Sequence, residues 1–180
     1  MEINILLWIQ ENLRADWLNP IVKAITHLGD AGWLWILLSL ICILLPKTRK
    51  VGFCTSGALI FDLLSVNILL KPLIARTRPY IVNPELISLI GEQSDKSFPS
   101  GHTAASFAFA VAFAMVAPKK YSIPVMVVAV LISLSRLYVG VHYPTDILGG
   151  ALIGTVCGIA SVLLVKWIYK KVEEKKKKTA

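Results

Sequence analysis

Three polar segments interrupt an otherwise greasy chain, and their residues are those needed to attack a phosphate. KPLIARTRP, from Lys71 to Pro79, carries Lys71 and Arg78; PSGH, from Pro99, ends in His102; SRLYVGVHYPTD, from Ser135, carries Arg136, His142 and Asp146. Cations can hold phosphoryl oxygens, an imidazole oriented by a carboxylate can attack, and a second imidazole can move a proton.

Each group also has a plainer reading when taken alone. Pro144 suits the first position of a helix, which would place Asp146 in its first turn, within reach of His142. A carboxylate there can fix the imidazole tautomer, or it can simply cap the helix. Arg136 closes an apolar stretch, where a guanidinium either snorkels to headgroups or clamps phosphate through its planar fork. Ser100 suits a helix N-cap, and the free backbone N–H groups near Gly101 would then form an anion site. His102 there is placed to act as a general acid, or PSGH is no more than a capped helix start. Lys71 and Arg78 can turn toward one anion if Pro72 ends the helix between them, although a lysine at a helix lip is often a headgroup anchor. Arg76 offers a further headgroup contact.

The elements that must position these residues are membrane helices. A 180-residue chain with 56% hydrophobic residues and a mean hydropathy of +0.67 is too apolar for a soluble domain. Apolar stretches at 51–70, 103–117, 121–139 and 147–169, with a shorter one at 31–46, approach the about 17 to 25 residues a bilayer core requires. The expected fold is all-α: a polytopic bundle of five transmembrane helices, or six, forming a single domain over 1–180. Residues 1–30 read as an amphipathic interfacial helix broken near Asn19-Pro20, with a sixth span as the alternative. The start of the chain carries no evident cleavable signal peptide. The loop after Lys71 is too long for a simple connection and is expected to be functional.

Charge sets the expected orientation. Lys47, Arg49, Lys50, Lys119, Lys120, Lys170, Lys171 and the Lys175 to Lys178 run fall on one side of a five-span chain, which the positive-inside rule makes cytoplasmic, with a basic tail at 170–180. All three polar segments then face the outer side of the cell membrane. The net charge of +8 is concentrated at membrane boundaries, which argues against a nucleic-acid partner. Gly150, Gly154 and Gly158 would let a neighbouring helix approach, within the bundle or in a dimer, and the oligomeric state is left open. Cys42, Cys54 and Cys157 lack paired or ligand spacing and read as packing residues. No separate metal site and no cofactor is expected. Asp62 lies inside a span, where it serves either a polar contact with Ser65 and Asn67 or the substrate.

Together, KxxxxxxRP, PSGH and SRxxxxxHxxxD, in that order and each beside a helix end, resemble the type 2 phosphatidic acid phosphatase superfamily. The resemblance covers roughly 50–169 and leaves the first fifty residues without signature. It implies metal-independent hydrolysis of a membrane lipid phosphate. His142 would form a phosphohistidine, Asp146 would orient it and His102 would protonate the leaving group. Lys71, Arg78, Ser100, Gly101 and Arg136 would hold the phosphoryl oxygens. Family substrates include undecaprenyl diphosphate, phosphatidylglycerol phosphate and phosphatidic acid; a small member with an outward site is most similar to those acting on the first. A membrane anion channel or transporter with a basic vestibule is the competing class, and it would not need the pairing of His142 with Asp146.

Overall fold

Alanine and glycine set how closely the helices of this chain pack, and the closest packing lies beneath the polar segments. The computed structural model describes the backbone of residues 1–179 and the side chains of residues 1–177, so the end of the expected basic tail, the Lys178 and Thr179 side chains and Ala180, lies outside the described residues. Every regular element among the described residues is a helix. In chain order these are α1 (Glu2–Asn12), α2 (Asn19–His27), a 3₁₀ turn (Asp30–Gly32), α3 (Trp33–Leu44) and α4 (Arg49–Asp62). A π-helical segment (Leu63–Leu70) carries α4 into α5 (Lys71–Ile74); α6 (Pro79–Val82), α7 (Gly101–Ala114), α8 (Lys119–Tyr138) and α9 (Pro144–Thr179) follow.

Helix α7 is the centre. One side buries Ala105, Phe109 and Ala110 against Trp35 of α3 and Ala129 and Ile132 of α8. The other side buries Ala108 and Ala112 against Cys54 and Ala58 of α4 and Cys157 and Val162 of α9. Trp35 stacks on Phe109 at 4.9 Å between centroids and donates its indole N–H to Ser106 at 2.9 Å, which satisfies the polar atom that its burial would strand. The glycine stripe of α9 faces α7: a Cβ on Gly150 would lie 2.7 Å from the Ser100 carbonyl oxygen, and one on Gly158 would lie 2.8 Å from that of Ala108. Small residues thus hold the start of α7, with its PSGH segment, directly against the start of α9.

The outer surface of the bundle is apolar. Leu148, Leu152 and Leu163 of α9, Leu134 of α8 and Ile60 of α4 are all exposed, as suits side chains that meet lipid. Three helices are long and apolar enough to cross a bilayer: Arg49–Val82, Lys119–Tyr138 and Pro144–Lys177. A fourth span is available if α2 and the segment Asp30–Leu44, bent by 44° at their junction, cross as one. The 14-residue α7 rises only about 21 Å, less than the about 30 Å of a hydrocarbon core. The count of five therefore turns on α7.

Two local expectations are refined. The α4 helix does not stop at Pro72; it continues to Ile74, and Ala75, at φ 50°, ends it by a hydrogen bond from its N–H to the Lys71 carbonyl. Upstream the ladder has already shifted to π spacing, with the Lys71 N–H on the Val66 carbonyl, so the helix bears a residue that cannot donate. In the N-terminal region the break falls at residues 13–18, and Pro20 opens α2. These helices pack on the polar end of the bundle. Leu6 is buried with Leu86 and Tyr143, while Leu18 and Val22 pack against Tyr138 and Val139. Arg14 donates from Nε to the Tyr138 carbonyl at 2.9 Å and from Nη1 to that of Ile87 at 2.8 Å, tying the start of the chain to the long loop.

Candidate active site

Pro144 is the first residue of α9, and Asp146 sits in its first turn with no exposure to solvent. Its Oδ2 accepts from the Tyr143 N–H at 3.0 Å, from Ser97 Oγ at 2.5 Å and from His142 Nδ1 at 3.2 Å. Capping and orienting, two readings open to the sequence, thus fall to one carboxylate. Because an ionised carboxylate only accepts, Nδ1 carries the imidazole proton and Nε2 keeps the lone pair. That Nε2 lies 3.3 Å from Arg78 Nη1. His142 is 1% exposed; burial depresses its pKa to about 3, Asp146 opposes that shift, and Arg78 and Arg136 add to it. The imidazole is held neutral, as an attacking base must be.

Arg78 has extended backbone as the cap of α6, and Pro79 follows as the first helical residue. Its guanidinium donates to the Val141 carbonyl at 2.8 Å and from Nε to the Asp95 carbonyl at 3.0 Å, so it is fixed both by the residue before His142 and by the long loop. The Asp95 side chain bridges Lys71 and Arg78. Burial works against its ionisation, but Lys71 and Arg78 pull its pKa down to about 2. Lys71 is 7% exposed and Asp95 is about half exposed, so an anion from the loop lies across two largely buried cations.

Ser100 caps α7, accepting from the Thr103 N–H, and its own N–H donates to the Asp146 carbonyl oxygen at 3.1 Å. A Cβ on Gly101 would meet Lys71 Nζ at 3.4 Å, so bare backbone at the start of α7 faces the lysine. Arg136 is 1% exposed at the end of α8; Nη1 donates to Thr26 Oγ1 at 2.6 Å, and Nε is buried with no partner among the described residues. It shares no hydrogen bond with Arg78, His142 or Lys71 but lies within range of the charges of Arg78, Asp30 and Asp95. His102, the second residue of α7, bonds Asp30 rather than the His142 cluster.

A cavity of about 570 Å³ adjoins this cluster. Leu40, Leu59, Ile60 and Leu63 contribute apolar wall, and Lys71, Gly101 and His102 also line it. Asp62 is part of the same wall; it is 3% exposed, and its Oδ1 has no hydrogen-bond partner among the described residues. The same residues contain no cluster of three or more His, Cys, Asp or Glu side chains able to hold a metal ion.

Several participants have no signature in sequence. Arg76 binds Asp146 Oδ1 at 2.6 Å and Glu2 at 2.7 Å, and its guanidinium stacks 3.8 Å from the Tyr143 ring centroid. Glu2 also accepts from the Thr145 N–H and hydroxyl; burial opposes its ionisation, yet Thr145 and Arg76 hold its carboxyl below the usual range. Asp95, Ser97, Asp30 and Thr26 likewise reach the site from distant parts of the chain.

Residues 49–170 match the sequence profile of the PAP2 superfamily. The chain belongs to this superfamily. The undecaprenyl-diphosphatase of Sulfolobus acidocaldarius is 32% identical over 146 residues, covering 81% of this chain and 69% of that one. Phosphatidylglycerophosphatase B of Bacillus subtilis is 35% identical over 178 residues, 92% of this chain and 80% of that one. Among solved structures, that of LpxE from Aquifex aeolicus superposes with a TM-score of 0.79 at 28% identity, covering 89% of this chain and 94% of its own. The PAP2 match begins with α4, so Glu2, Thr26 and Asp30 reach this PAP2 site from outside the matched residues.

Proposed function

We propose that this PAP2 protein is an integral membrane phosphatase that removes the terminal phosphate of a lipid phosphate or diphosphate. The observation carrying this reading is the buried His142, with Nδ1 on Asp146 and Nε2 against Arg78: a neutral, oriented nucleophile beside a fixed cation. Nε2 attacks phosphorus, a P–N bond forms as the P–O bond to the lipid breaks, and His102 gives its proton to the departing oxygen. Water then gives a proton to His102 and attacks phosphorus. The P–N bond breaks, restoring His142 and releasing inorganic phosphate. Lys71, Arg78 and Arg136, with Ser100 and the Gly101 backbone, stabilise the charge on the phosphoryl oxygens. The unpartnered Arg136 Nε–H is a buried donor that such an oxygen would satisfy. These cations supply the stabilisation without a metal ion.

The apolar cavity beside His102 suits a lipid leaving group. Undecaprenyl diphosphate is the favoured substrate, with phosphatidylglycerol phosphate and phosphatidic acid as the other classes. Five spans accommodate the chain: α2 with α3, α4 through α5, α7, α8 and α9. The shortness of α7 fits a site recessed below the membrane surface, with its polar end facing outward and the C-terminus in the cytoplasm.

Phosphate release by purified protein in detergent tests the reading. The three lipid classes are compared by kcat/KM, with undecaprenyl diphosphate expected to lead. His142→Ala is expected to lower turnover by more than about 10³-fold, the scale of losing a nucleophile. Equal rates from parent and variant would remove His142 from the mechanism. Activity is expected to persist in EDTA, and loss restored by a divalent cation would rule out the metal-free scheme.

A further inference from the structure

The turn between α2 and α3 lies outside the residues that match the family, yet it touches His102. Asp30 Oδ1 pairs with His102 Nε2 at 2.9 Å, and Oδ2 pairs with His27 Nδ1 at 2.7 Å. The approach depends on Gly29, because a Cβ there would lie 2.7 Å from His102 Cδ2 and 2.8 Å from Ile132 Cγ2. Ala31 and Gly32 follow at φ 49° and 68°, both left-handed. Alanine disfavours that conformation, so the surrounding packing holds the turn against its local preference.

We propose that Asp30 is the positioning residue of His102, with His27 steadying its second oxygen, so that the site contains two carboxylate–imidazole pairs. This rests on the reading of His102 as the general acid. An ionised Asp30 accepts from Nε2, which therefore carries a proton toward it and leaves Nδ1 to face the departing oxygen. Asp30 is the anion in direct contact with the ring, at 2.9 Å from Nε2. In the transfer step the Nδ1 proton passes to the leaving oxygen as the P–O bond breaks, and the neutral ring keeps its Nε2–H on Asp30. The ring regains the Nδ1 proton from the water that opens the phosphohistidine. Asp146 serves His142 in the same way from the other side of the chain's order.

A general acid matters only when the leaving group needs a proton, and the test uses that dependence. Asp30→Asn, Asp30→Ala and His102→Ala are assayed on a long-chain alkyl phosphate, whose alkoxide leaves poorly, and on 4-nitrophenyl phosphate, whose phenolate leaves unaided. The readout is the ratio of the two kcat values within one preparation, which does not depend on the fraction of protein folded. Asp30→Asn is expected to lower the alkyl rate about 10- to 100-fold, toward the low end of general acid catalysis, and the aryl rate by less than about twofold. His102→Ala is expected to show the same selectivity more strongly. An unchanged ratio in both Asp30 variants, whether the rates fall together or stay, overturns the proposal. If His102→Ala is selective and Asp30→Asn is not, only the role of Asp30 fails. If His102→Ala is not selective either, the reading of His102 as acid fails with it.

Discussion

Asp95 lies where the cations of the site meet, and its half-exposed carboxylate is the anion a phosphate would have to displace or accompany. Its pKa of about 2 keeps it ionised throughout the working range, so it competes with phosphate at every relevant pH. Asp95→Asn is therefore expected to lower the inhibition constant for vanadate about tenfold, equivalent to about 1.4 kcal/mol. A weaker inhibitor in the variant would instead make Asp95 a residue that preorganises Lys71 and Arg78. His142 links the site to stability. Its folded pKa, about 3, is below the ordinary 6.5, so between these values the unfolded chain binds a proton here that the folded chain does not. Stability from this residue is intact above pH 6.5 and falls as the pH drops toward 3. In detergent, His142→Gln is expected to flatten that part of the Tm-against-pH curve, and a parallel curve would contradict the buried neutral imidazole.

At the scale of elements, the α7–α9 contact decides whether PSGH and His142 meet. Gly150→Val would push side-chain atoms into the Ser100 carbonyl, whose neighbouring N–H bonds Asp146. It is expected to cost about 1–3 kcal/mol, visible as a lower Tm, and to reduce kcat more than KM because the misplaced groups act on the reacting phosphate. The glycine stripe was legible in the sequence because its four-residue spacing is local, although its partner α7 was not. So was the His142–Asp146 pair, which one helix start brings together, and so were the long apolar stretches. Asp30, Thr26, Glu2 and Asp95 were not legible, because their roles depend on tertiary approach: Thr26 meets Arg136 across 110 residues and Asp30 meets His102 across 72. The π segment was hidden for a related reason. Its shifted ladder leaves no compositional mark, and Pro72 read as a stop where the helix instead runs one turn on.

For the whole molecule, the question is which side of the membrane holds the site. The long helices alternate in direction, so Trp33, Lys71, Gly101, Tyr138 and Pro144 mark one end, while Leu44, Arg49, Ala114 and Lys119 mark the other. Lys47, Arg49, Lys50, Lys119 and Lys120 gather at the end away from the His142 cluster, and the positive-inside rule counts short basic loops of this kind. Arg76, Arg78 and Arg136 at the opposite end do not offset that count: each is committed to the site, in contact with Asp146, Asp95 or Thr26. A lipid phosphate in the outer leaflet would then reach the cations by lateral diffusion. In a chain with Cys42, Cys54 and Cys157 replaced by alanine, Glu92→Cys in the long loop should react with a membrane-impermeant maleimide on intact cells. Glu174→Cys in the last helix should react only after permeabilisation. The reverse pattern would invert the orientation and place phosphate release in the cytoplasm, leaving the geometry of the site unchanged.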